Sequence, residues 1–169
     1  MASTFLLFIL LVTVVVEPIA LGIPVANNDV DESCEAQFWE NEEPYQCSGG
    51  LSVNLDCKSG TAHLAHTNIS KICTSVRLFW SYPMNNLTMF METPFTKKQQ
   101  AYTVEFDNTQ LGGISHIYRL INGKEAEVTT HGSKLIQHSD SNYQIILKLE
   151  GPPELIYYGT YINYNVTKS

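Results

Sequence analysis

No lysine or arginine occurs before Lys58. The first third of the chain therefore carries acids without a single fixed positive charge. Such a segment is repelled by nucleic acid and by anionic lipid, so neither is expected as a partner for it. Long apolar runs are also scarce. Phe5 to Val16 is the longest, and its dozen residues fall short of the roughly 20 that a bilayer span needs. No hydrophobic tail of the lipid-anchor type closes the sequence. Catalytic signatures are missing as well: no GxSxG elbow, HExxH pair, phosphate loop or GxGxxG turn occurs. No cofactor is expected, and no window of 11 residues shows a clear 3.6-residue apolar period, so helices are not predicted. Internal repeats and low-complexity tracts are absent. The cysteine–tryptophan–cysteine spacing of an immunoglobulin domain is missing too, because no cysteine follows Trp80.

What is present points outside the cell. The Phe5 to Val16 run followed by Ala20-Leu21-Gly22 has the form of a signal peptide, with cleavage expected after Gly22 and a mature chain of 147 residues. Residues 23–33 hold few apolar side chains and several turn formers, which predicts a flexible acidic arm. The remaining 34–169 make one ordinary domain, able to bury about 70% of its unfolded surface. The four cysteines, Cys34, Cys47, Cys57 and Cys73, are spaced 13, 10 and 16 residues apart. That spacing does not suit a zinc site, which favours close pairs, so two disulfides are expected and no metal. Three pairings are possible. The shorter closures, Cys34 with Cys47 and Cys57 with Cys73, are favoured by loop entropy alone. Sequons at Asn68, Asn86 and Asn165 become candidate glycosylation sites in a secreted chain.

The dominant pattern is an alternation of period two. In Leu51 to Cys57 the residues Leu51, Val53, Leu55 and Cys57 share one face, and Ser48-Gly49-Gly50 before them reads as a turn. The same alternation recurs in Cys73 to Trp80, Asn86 to Met91, Ala101 to Phe106, Ser133 to His138, Tyr143 to Leu149 and Leu155 to Val166. Ile114 to Ile121 and Lys124 to Thr130 flank Asn122-Gly123, a pair suited to a type I′ hairpin turn. About nine short strands without helices predict an all-β fold. The expectation is a two-sheet antiparallel sandwich of jelly-roll type, with a closed barrel as the alternative.

Function is sought in charge and aromatics. From Ile23 to Cys57 the formal charge is −8, and from Lys58 onward it is +2. Glu40, Glu42 and Glu43 are the densest part of the acidic segment, and they are candidates to steer a basic extracellular protein or peptide. Trp39, Tyr157 and Tyr161 are the candidate apolar anchors, because charge alone gives little specificity. In the last strand Tyr157 and Tyr161 are expected on one face, Tyr158 and Tyr164 on the other. His63, His66, His116, His131 and His138 do not fall at metal-ligand spacing. The sequence therefore predicts a secreted glycoprotein that binds, of the host-interaction or immune-modulating kind, and not an enzyme. A carbohydrate-binding sandwich with tyrosine or tryptophan platforms is the alternative, and a small secreted hydrolase is the third.

Overall fold

The computed structural model of the chain describes residues 33–42, 47–81, 86–129, 132–152 and 158–169, without the side chain of His66. The expected signal peptide, nearly all of the arm, Glu43, His131 and Tyr157 lie outside the described residues. Within them the chain forms twelve strands. The first four are β1 (Ser33–Glu35), β2 (Gln37–Glu40), β3 (Ser48–Ser52) and β4 (Ser59–His63). A single helical turn, α1 (Ile69–Ile72), precedes β5 (Ser75–Ser81), β6 (Asn86–Met91) and β7 (Tyr102–Asp107). The hairpin β8 (His116–Ile121) and β9 (Lys124–Glu127) follows, then β10 (Lys134–His138), β11 (Ile145–Glu150) and β12 (Gly159–Lys168).

All nine expected strands have a counterpart, and the reason is the alternation itself. β5 buries Val76, Leu78 and Trp80, β6 buries Leu87, Met89 and Met91, and β7 buries Tyr102, Val104 and Phe106. Asn122 and Gly123 have φ of 51° and 73°, the two positive values a type I′ turn requires. The three additional strands are β1, β2 and β4. β1 and β2 are only three and four residues long, too short to show an alternation. β4 turns only Gly60 and Ala62 inward, so it shows no large apolar period.

One strand is displaced from its expected place. Ser48, Gly49 and Gly50 are strand and not turn, while Leu55 lies in the loop beyond and is 65% exposed. The two glycines belong to the strand because the neighbouring β2 presses on them. A Cβ on Gly49 would lie 2.4 Å from the Trp39 carbonyl oxygen.

The strands form two six-stranded sheets. Sheet 1 has the order β1-β4-β6-β11-β8-β9 and sheet 2 the order β10-β7-β12-β5-β3-β2. Their inner faces share one apolar core containing Leu51, Leu78, Trp80, Met89, Phe106, Leu147 and Ile162. This is a β-sandwich, and among the described residues neither sheet closes into a barrel. The sheets are mixed where antiparallel ones were expected: β1 with β4, β4 with β6 and β3 with β5 run parallel. The chain changes sheet at almost every step from β3 to β12, so only β2–β3 and β8–β9 are sequential neighbours within a sheet.

Both disulfides form, but not between neighbours in sequence. Cys34 bonds Cys57 and Cys47 bonds Cys73. Loop entropy favours the shorter closures, yet strand pairing decides which cysteines meet. β1 pairs with β4, which brings Cys34 to the turn holding Cys57, and β3 pairs with β5, which brings Cys47 to Cys73.

Candidate binding face

Side chains that alternation turns away from the core make the outer face of each sheet. On sheet 2, Trp39 of β2 pairs with Gly50 of β3, Gly50 with Phe79 of β5, and Phe79 with Tyr161 of β12. These four positions form one row straight across the sheet. Three strand spacings make it about 14 Å long. Gly50 is what lets the row lie flat. A Cβ there would fall 2.0 Å from the Trp39 ring, so the indole rests over the Gly50 backbone. Trp39 remains 44% exposed and Tyr161 38%. Phe79 meets Tyr161 edge to face at 5.2 Å.

Arg77 precedes Phe79 by two residues on β5, so it faces the same way. Its guanidinium carbon lies 4.2 Å from the centre of the Tyr161 ring, a cation–π contact. Trp39, Ser48, Arg77, Phe79 and Tyr161 line a shallow hollow of about 400 Å³. A second hollow of about 590 Å³ adjoins it, lined by Ser75, Arg77, Glu105, Asp107, Lys134 and Asn165 among others. Arg77 belongs to both. The acids of the second hollow are engaged: Glu105 pairs with Lys134 at 2.6 Å, and Asp107 accepts from the Thr109 amide and hydroxyl.

The sequence-predicted site residues separate into groups. Trp39 and Tyr161, 122 positions apart, are brought onto one face. Tyr161 and Tyr164 lie on opposite sides of β12 as expected, with Tyr164 buried and its phenol pushed well above its ordinary pKa by that burial. Tyr158 precedes the strand, so alternation does not place it, and it is exposed. Glu40 is half-buried, and it accepts hydrogen bonds from the Asn68 backbone amide and from Asn68 Nδ2. Glu42 is exposed in the loop after β2. Of the sequons, Asn68 is exposed beside α1, Asn86 is half-buried at the start of β6, and Asn165 is exposed on the outer face of sheet 2. The histidines are dispersed: His63 stacks on Phe90 at 4.2 Å, His116 meets Glu127, and His138 meets Thr103.

Phe79, Arg77 and Gly50 were not among the expected site residues. The first two were within reach of the sequence, because placing Val76, Leu78 and Trp80 inward turns Arg77 and Phe79 outward. Gly50 was not, since its role depends on which residue of β2 lies opposite. In sequence the chain matches no family model and no curated protein.

Proposed function

We propose that this protein is a secreted binding module, and that it takes a carbohydrate on the outer face of sheet 2. The observation that carries this reading is the row formed by Trp39, Phe79 and Tyr161. Sugars present flat C–H faces that pack on aromatic rings, and a row of about 14 Å accommodates two to three pyranose units. Arg77 beside the row offers hydrogen bonds to hydroxyl groups. Two disulfides and three sequons favour an oxidising, extracellular setting. A basic protein or peptide suits the face less well. Glu40 is occupied by Asn68, and among the described residues the only formal charge lining the aromatic hollow is the cation of Arg77.

The test is calorimetric titration with a panel of neutral and acidic oligosaccharides, on protein made without N-glycans so that none hangs from Asn165. Saturable binding is expected. Trp39→Ala and Tyr161→Ala should each weaken it by about tenfold or more, with circular dichroism unchanged. Gly50→Ala keeps every aromatic ring but lifts Trp39 off the sheet, and it should weaken binding as well. A panel without any bound saccharide, or affinities indifferent to both aromatic substitutions, would overturn the reading.

A further inference from the structure

This inference rests on the carbohydrate reading and narrows it. We propose that the site selects a saccharide carrying a single carboxylate, of the uronic-acid or sialic-acid type, and that Arg77 makes the selection. Arg77 stands in mid-sheet, since β5 lies between β12 and β3, so its backbone is held from both sides. Its guanidinium lies over Tyr161, 4.2 Å from the ring centre. A guanidinium held against a ring keeps the N–H groups of its edge directed outward, and that planar fork matches the two oxygens of a carboxylate. Among the described residues the Arg77 side chain has neither an ion-pair partner nor a hydrogen-bond acceptor. The two carboxylates that line the adjoining hollow with Arg77 are already committed, Glu105 to Lys134 and Asp107 to Thr109. A sugar laid along the row on Trp39 and Phe79 therefore meets, beside Tyr161, a cation that has no ion-pair partner among the described residues and can bond an acidic substituent of the sugar.

The charge of the whole chain sets the upper limit on the ligand. Its formal charge is −7, so a sulfated polymer with many charges is repelled at a distance. A single carboxylate is governed by the local field of Arg77, within a screening length of about 8 Å at physiological salt. The saccharide is thus acidic at one unit and not a polyanion.

Paired probes test this: 3′-sialyllactose against lactose, and trigalacturonate against its methyl ester, with a heparin fragment as the polyanion. The acidic member of one pair should bind about tenfold more tightly than its neutral partner, and the pair that shows the preference identifies the type of acid. Arg77→Gln, at an exposed position, should bring the two members to within about twofold of each other. Arg77→Lys should keep only part of the preference, because an ammonium lacks the planar fork. Equal binding of acidic and neutral members, or a preference that survives Arg77→Gln, overturns the inference while leaving the carbohydrate reading in place. Heparin binding more tightly than either acidic probe overturns the single-carboxylate assignment. If no saccharide binds at all, the underlying reading fails with it.

Discussion

His116 lies on the surface of β8, yet its titration is not that of a free imidazole. Its Nδ1 is 2.7 Å from Oε1 of Glu127 on the adjoining strand. The hydrogen bond to that carboxylate favours the imidazolium, and the charges of Glu127 and Glu150 add to it, so His116 titrates above its ordinary 6.5. The folded protein then holds this proton more tightly than the unfolded chain does. The contribution of the pair is complete below a pH of about 6.5 and is lost as the pH rises through the elevated folded value. Solvent on both partners keeps that contribution small. An NMR titration should place the His116 midpoint above 6.5, and Glu127→Gln should move it back; a midpoint that ignores the substitution would remove Glu127 as the cause. Sequence alone offers five histidines without showing which acid each one meets. Arg119 shows the same gap more sharply. An arginine within a strand is expected outward, but here it is buried beside Ile117 with its guanidinium donating to the carbonyl oxygens of Gln144 and His138 at 2.7 and 3.3 Å. A buried cation is tolerated only when its donors are satisfied, and these acceptors come from the end of β10 and from the residue before β11, far along the chain. What one residue does was legible where alternation decides it, as for Trp80 or Leu87. It was not legible where a partner from another strand decides it.

The β8–β9 hairpin is the element whose local chemistry speaks most plainly. Gly123 has φ of 73° and open space around the position a Cβ would take, so a side chain there meets no obstacle except its own backbone. Holding an L residue in the left-handed region costs about 1–2 kcal/mol. Gly123→Val should therefore lower the melting temperature by roughly 2–8 °C, the range for a protein of this size. The hairpin closes one edge of sheet 1, so faster amide exchange in β9 should accompany the loss. Unchanged melting within a degree, with unchanged exchange in β9, would mean that the turn is not under this constraint. Elements without such self-contained signals were harder to read. β4 contributes Gly60 and Ala62 to the interior, and Gly60 is small because Val53 fills the space: a Cβ there would lie 2.2 Å from a Val53 methyl group. Small inward residues erase the apolar period that identifies a strand. β2 reads as an acidic stretch until its register against β3 shows Trp39 lying over a glycine.

At the scale of the whole molecule, the disulfides and the parallel strand pairs belong together. Parallel pairs are somewhat weaker per residue than antiparallel ones, and their strands cannot be joined by a tight turn. Here each disulfide lies at the start of one such pair. Cys34 is in β1 and Cys57 precedes β4, in sheet 1, whereas Cys47 precedes β3 and Cys73 precedes β5, in sheet 2. The separations of 23 and 26 residues make each bond worth about 3.5 kcal/mol by chain entropy. Global stability should thus fall to a similar degree when either pair is replaced by alanine, with melting lower by roughly 10 °C. Local consequences should differ. Among the described residues β2 pairs only with β3, and β3 reaches the rest of sheet 2 through β5, so Cys47–Cys73 secures the attachment on which Trp39 depends. Hydrogen exchange in the Cys47→Ala, Cys73→Ala protein should accelerate in β2 and β3, and saccharide affinity should fall by more than the shared loss of stability explains. In the Cys34→Ala, Cys57→Ala protein, exchange should accelerate in β1 and β4 while the aromatic row keeps its affinity. Exchange that rises equally in both sheets for both variants would refute the division, because the two bonds would then act only on the unfolded chain and not on the strands they adjoin.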